Sequence, residues 1–274
     1  MIDIHTHLHP PKLFRAIRKW FSENSSWKLT YPTQPADVAA HLRNCGVTRF
    51  VFCSYAHKAG IAEEINNWLI QTSNELGRFG VPLATVHPSD GNYIEYYEMA
   101  LDNGCVGLKI HEDVQKLSIN DAALDPILEI SSRHGAFVLV HVGSIPWTSH
   151  SNDGPQRLRT VLGRYPSLSI IVAHMGVPDT AQYLQIAEDH PNLYLDTTMT
   201  LAPESPFYSP IAGDIFEAHA DRLIYGSDFP NIPYSYEQDI RAIEELSSNP
   251  RVRQAVFEDN AGKLLLKQEA RHKR

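Results

Sequence analysis

Cysteine is scarce in this 274-residue chain: Cys45, Cys53 and Cys105 form neither a Cys-x-x-Cys clip nor an even set. A disulfide framework is therefore not expected, and a reducing cytoplasm is the compartment that fits. Long apolar runs are missing too. No stretch approaches the roughly 20 residues that cross a bilayer, and the N-terminus enters strand-like sequence without a basic segment and apolar core ahead of it, so neither a membrane span nor secretion is expected. Positive charge is the third shortage. The formal net charge is -8, the pI is near 5.9, and the only Lys/Arg-rich stretch is the tail Lys267 to Arg274, which argues against nucleic acid as a partner. Internal repeats, low-complexity segments and a linker are also absent, so residues 1–274 are expected to form a single domain.

Apolar residues are plentiful, at 43% against 20% charged, enough for a large core. Short apolar runs alternate with segments of helical spacing from end to end. Strands are expected at Ile2 to His7, Arg49 to Ser54, Val81 to His87, Gly104 to His111, Phe137 to His141, Ser169 to His174, Asn192 to Asp196 and Leu223 to Asp228. Helical spacing covers Ala36 to Cys45, Ile61 to Leu76, Tyr93 to Asp102, Asp125 to His134, Gln156 to Arg164, Thr180 to Glu188 and Ile211 to Ala218, with closing helices at Tyr236 to Leu246 and Arg251 to Lys267. Eight strands alternating with helices is the signature of an α/β (β/α)8 TIM barrel, with a doubly wound open sheet as the alternative. Either architecture places ligands at the C-terminal strand ends.

Those ends carry the chemistry. The first strand reads Asp3-Ile4-His5-Thr6-His7, and its period of two puts His5 and His7 on one face, with Ile2, Ile4 and Leu8 behind and Asp3 deeper on the imidazole face. Lys109 and His111 share a face of the fourth strand, His141 ends the fifth, His174 the sixth and Asp228 the eighth. His57, His87 and Asp196 fall at or just past other strand ends, where they could also face a pocket. Two long connections, Pro10 to Pro35 and Gly143 to Pro155, carry Phe14, Trp20, Phe21, Trp27 and Trp147 and are expected to wall a substrate pocket.

Asp-x-His-x-His at the first strand, His at the fifth and sixth and Asp at the eighth resembles the amidohydrolase superfamily. Ile171-Val172-Ala173-His174-Met175-Gly176, Tyr225-Gly226-Ser227-Asp228-Phe229-Pro230 and Asn260-Ala261-Gly262-Lys263 look like its amidohydrolase-related branch, which includes aminocarboxymuconate semialdehyde decarboxylase and relatives. The resemblance implies a distorted metal-dependent barrel with His5, His7, His141 and Asp228 as metal ligands, Lys109 and His174 as further candidates, and Asp228 and His174 as catalytic groups. One ion is expected rather than two; Zn2+ is the default, with Mn2+ or Fe2+ also accommodated by such donors.

A lysine inside a barrel must meet an anion, lose its proton or be modified. In the two-metal relatives a fourth-strand lysine is carboxylated, whereas the decarboxylases usually lack it. The expectation for Lys109 is an unmodified side chain holding a substrate carboxylate or carbonyl, with His111 a substrate contact or further ligand. The implied activity is hydrolysis of a small amide, ester or lactone; non-oxidative decarboxylation is the alternative. A small-molecule substrate is the expected partner, and a homodimer is compatible with barrels of this kind.

Overall fold

The computed structural model describes residues 1–142 and 153–271. Eight short parallel strands run in chain order: β1 (Ile2–His7), β2 (Arg49–Cys53), β3 (Gly80–Pro82), β4 (Gly107–His111), β5 (Phe137–His141), β6 (Ile170–Val172), β7 (Leu193–Asp196) and β8 (Leu223–Ile224). Their ladders form a three-stranded sheet, β1-β2-β3, and a five-stranded sheet, β4 to β8. Less regular hydrogen bonds join the two. Between β3 and β4, Ala84 N–H donates to Gly107 O at 2.9 Å and Lys109 N–H to Ala84 O at 2.8 Å; between β8 and β1, Ile4 N–H reaches Tyr225 O at 3.0 Å. The ring is closed, and the fold is a TIM barrel of distorted type.

The helices are α1 (Pro11–Asn24), α2 (Pro35–Asn44), α3 (Ala62–Leu76), α4 (Tyr93–Asp102), α5 (Glu112–Gln115), α6 (Asp125–His134), α7 (Gly154–Arg164), α8 (Thr180–Asp189), α9 (Gly213–Ala218), α10 (Glu237–Leu246), α11 (Pro250–Gln254) and α12 (Asn260–Arg271). Outward strand residues such as Phe52, Leu108, Val140, Val172 and Leu195 pack against them in one buried cluster. Inward residues Val51, Leu83, Leu139, Ile171 and Ile224 form a second cluster, joined by Ala261, Leu264 and Leu265 of α12. That helix plugs the end opposite the histidines. Each fully buried Leu or Ile here is worth roughly 1.5–3 kcal/mol of transfer free energy.

Several expectations change. The connection from Pro10 to Pro35 contains α1, a 14-residue helix with Pro11 in its first turn. Leu13, Ala16, Ile17 and Trp20 recur at helical spacing and turn to the cavity, while Phe14 is buried against the barrel. The connection from 143 to 152, with Trp147, lies outside the described residues. β3 stops at Pro82, which has no N–H to give toward β4, and Ala84 makes an isolated bridge to Leu108. β8 stops at Ile224, and the closing helix expected over Arg251 to Lys267 is α11 and α12 joined through a π-helical turn at Ala255–Asp259.

The most consequential change is in β1. Asp3 pairs with Phe50 but Thr6 with Phe52, so three steps on β1 oppose two on β2. This bulge shifts the alternation by one residue. Ile2 and Ile4, expected behind the imidazoles, lie in the barrel interior with Leu139 and Ile171. Asp3, expected on the imidazole face, points outward to Tyr236, which donates to its Oδ2 at 2.9 Å.

Candidate metal centre

Strand ends bring His5, His7, Lys109, His111, His141, His174 and Asp228 to the wall of one cavity of about 590 Å3, a volume typical of small-molecule sites. Its floor is polar and its upper wall apolar, built by α1 together with Trp27 and Phe207. Phe207 lies nearly parallel to the His174 ring, centroids 4.8 Å apart.

Donor atoms of His5, His174 and Asp228 all lie within 4.8 Å of one another. Asp228 Oδ1 is 2.9 Å from His7 Nε2 and 3.4 Å from His5 Nε2. Lys109 Nζ donates to the same His5 Nε2 at 2.9 Å. Among the described residues no carboxylate lies within ion-pair distance of Lys109, which is 1% exposed. His141 stands one ring further out: it stacks on His111 at 4.1 Å and meets the edge of His174 at 4.7 Å.

The far nitrogen of each central imidazole is occupied. His5 Nδ1–H donates to Asp196 Oδ2 at 2.9 Å, and His174 Nδ1–H to Thr198 O at 3.1 Å. Such contacts fix ring orientation and tautomer, leaving Nε2 of both rings without a hydrogen; that of His5 accepts from Lys109 Nζ, and a cation bound there would take the place of that hydrogen bond. With Asp228 they make a donor set that fits a divalent ion of the Zn2+, Mn2+ or Fe2+ type.

Backbone strain supports this arrangement. His174 and Asp228 have φ of 53° and 68°, a left-handed conformation that costs a non-glycine residue about 1–2 kcal/mol. Asp196 Oδ1 accepts from the His174 N–H at 2.9 Å, and His5 O accepts from the Asp228 N–H at 2.8 Å. These bonds hold both turns against the strain.

Burial and charge set the protonation pattern. Burial and the Lys109 cation push His5 down to about 4 despite Asp196. Burial opposes protonation of His7 as well, but Cys53 and Asp228 outweigh it and raise that ring to about 10. For Asp228 burial is likewise overridden, here by His7 and its hydrogen bond, and the carboxyl is held far below its ordinary range. Burial and cationic or imidazole neighbours keep His111 and His141 neutral. Cation binding at this centre competes with protons.

The smaller strand-end candidates divide. Asp196 belongs to the centre, His57 lies on the exposed rim of the cavity, and His87 accepts from Ser89 N–H in a turn. Sequence reasoning assigned nothing to His9, yet it is buried, stacks on His7 with centroids 5.5 Å apart, and bonds Ser54 Oγ at 2.7 Å. The alternation His5-x-His7-x-His9 was the signal available. Tyr55 and Asn231 also line the cavity, the latter with Oδ1 buried and unpaired; no sequence pattern marked them.

Behind the centre, Asp3 accepts from Ser227 Oγ at 2.6 Å as well as from Tyr236, and Ser227 Oγ accepts from Phe229 N–H at 3.0 Å. The bulge thus ties β1 to the segment bearing Asp228. Further out, Asp239 accepts from Tyr234 OH at 2.9 Å, and burial raises its pKa to about 8. Stability from the protonated form is fully present below the ordinary carboxylate value and is lost as pH rises through about 8. Asp239→Asn, neutral throughout, is expected to gain stability over the parent at about pH 9 and little at about pH 4. Urea unfolding at both pH values checks this; a pH-independent difference would refute it.

A family model described as amidohydrolase matches residues 2–266. The chain belongs to this amidohydrolase family. No curated protein matches the sequence. Among solved structures, the amidohydrolase is similar to an uncharacterized TIM-barrel protein from Bordetella bronchiseptica, 18% identical, with a TM-score of 0.76 over 98% of this chain and 100% of that one. It is also similar to a 5-carboxyvanillate decarboxylase from Novosphingobium aromaticivorans, complexed with manganese and 4-hydroxy-3-methoxy-5-nitrobenzoic acid: 14% identity, TM-score 0.70, 97% and 95% coverage. A probable 2-pyrone-4,6-dicarboxylic acid hydrolase from Acinetobacter baumannii, with citric acid bound, gives 16% identity, TM-score 0.65 and 96% and 98% coverage. Similarity at this level carries the amidohydrolase fold, and the reaction rests on the residues.

Proposed function

We propose that the chain is a metal-dependent hydrolase of a small carbonyl substrate, an amide, ester or lactone. One observation carries this reading: a base and a cation meet on a single imidazole. Asp228 Oδ1 lies 3.4 Å and Lys109 Nζ 2.9 Å from His5 Nε2, at the cavity floor. Hydrolysis needs both groups, one to take a proton from water and one to steady the oxygen on which negative charge develops.

In this reading His5, His7, His174 and Asp228 hold one divalent ion, zinc by default, with His141 at its margin. A bound Zn2+ supplies Lewis acidity and hydroxide near neutral pH. Asp228 takes the proton of the attacking water and returns it to the leaving group. Lys109 and His111 bind the carbonyl end of the substrate, while Trp20, Phe21 and Phe207 enclose its apolar part and exclude water. The two named solved enzymes act on or hold carboxylate-bearing molecules, and Lys109 offers such a group a partner.

Elemental analysis of gently purified protein is expected to give about one ion per chain, unchanged in Lys109→Ala, while turnover of the best ester, amide or lactone falls about 10²–10³-fold, the effect of losing one oxyanion donor. Two ions per chain, falling to one in the variant, would instead make Lys109 a carboxylated bridge. Release of CO2 from a carboxylated substrate with no hydrolysis across the panel would replace this reading with a non-oxidative decarboxylase.

A further inference from the structure

We infer that Cys53 is a positioning residue for His7: its buried sulfur receives the His7 Nδ1–H and thereby aims His7 Nε2 at the cation site. The inference deepens the proposed metal centre and rests on that reading. Cys53 ends β2 at 0% exposure on the inward face of the barrel, directly across the ladder from His7. Its Sγ lies 3.5 Å from His7 Nδ1 and 3.3 Å from Thr6 O. A thiol has one hydrogen to give and sulfur lone pairs to receive with. Thr6 O is a pure acceptor, so the S–H points there and Sγ is left to accept from the ring.

His7 Nε2 faces Asp228 Oδ1 at 2.9 Å, on the opposite edge of the imidazole. The thiol sits at the Nδ1 edge of the ring, opposite the edge that faces Asp228, as Asp196 sits at the Nδ1 edge of His5 and Thr198 O at that of His174; Sγ also lies within 4.8 Å of donor nitrogens of His5 and His7. The three rings are oriented by three chemically different partners: a carboxylate, a carbonyl and a thiol. The thiol is the weakest acceptor of the three, and its part is to fix the orientation of the ring. A small apolar residue at position 53 would fill the same interior space and leave Nδ1–H without a partner.

Wild type, Cys53→Ala and Cys53→Ser are compared in two experiments. Chelator competition with Zn2+ or Co2+ is expected to show Cys53→Ala binding about 10–100-fold more weakly, with Cys53→Ser, whose hydroxyl can also donate to Thr6 O and accept from Nδ1–H, within a few-fold of wild type. Metal-free protein is expected to show a slowly exchanging His7 Nδ1–H proton by NMR that is lost in Cys53→Ala and regained in Cys53→Ser. Equal affinity in all three proteins, with the proton unaffected, overturns the inference. A sulfur-to-cobalt charge-transfer band that disappears in Cys53→Ala also overturns it, because Cys53 would then be a ligand itself. Should wild type bind neither ion while the proton behaves as described, the role of Cys53 stands and the metal-dependent reading falls.

Discussion

Asp228→Asn is expected to lower turnover by about 10⁴-fold, the upper end of the range for a positioned general base, while leaving the fold intact. The effect is large because the carboxylate has two tasks. It lies 2.9 Å from His7 Nε2, where a carboxamide oxygen can still offer a lone pair, and it must carry a proton, which a carboxamide cannot. Asparagine is the informative substitution for a second reason: Asp228 has φ of 68°, a left-handed conformation that asparagine tolerates better than alanine. The check is kcat on whichever ester, amide or lactone the wild type hydrolyses, alongside thermal unfolding and a metal count. A variant that keeps its ion and stays within tenfold of wild type would remove Asp228 from the chemistry.

The second large effect is expected at Asp196, and there the two obvious substitutions should fail differently. Asp196 is fully buried and receives three hydrogens: His5 Nδ1–H at 2.9 Å, His174 N–H at 2.9 Å and Thr198 N–H at 3.1 Å. Burial favours the neutral acid, but the His5 contact wins and the pKa stays low. Asp196→Ala orphans all three donors and is expected to cost about 3–5 kcal/mol of stability, as removal of one partner from a buried pair does. Asp196→Asn can still accept from both backbone N–H groups through Oδ1. Its amide, however, presents N–H to His5 Nδ1 and forces that ring into the tautomer with the hydrogen on Nε2. The asparagine variant is therefore expected to fold nearly as well as wild type yet bind Zn2+ at least about 100-fold more weakly. Denaturant unfolding measures the first effect and chelator competition the second; tight metal binding by Asp196→Asn would show that His5 is not oriented in this way.

The barrel was legible in the sequence because parallel strands buried on both faces read as apolar runs, and several of the eight runs ended on residues with chemistry, among them Lys109 and His111, His141, His174 and Asp228. The same runs placed the site at one end of the barrel. The bulge in β1 was not legible, since one extra residue in the alternation leaves no compositional mark. Only its consequence shows, with Ile4 inside and Asp3 outside. Helix α1 was missed although Leu13, Ala16, Ile17 and Trp20 have helical spacing, because prolines bracket the segment and its aromatics suggested a loop. The supporting partners of the imidazoles were the hardest to foresee. Cys53 ends β2 while Asp196 and Thr198 stand at the end of β7, and their roles exist only once the ring has closed.

The plug formed by Ala261, Leu264 and Leu265 of α12 has a bearing on traffic. With that end shut, ion, substrate, water and product share the opposite side of the barrel, beneath α1. Access is then a queue: an ion held on His5 and Asp228, as proposed, would have to enter before a substrate that covers it, and both would use the side of the cavity that Trp20 and Phe21 line.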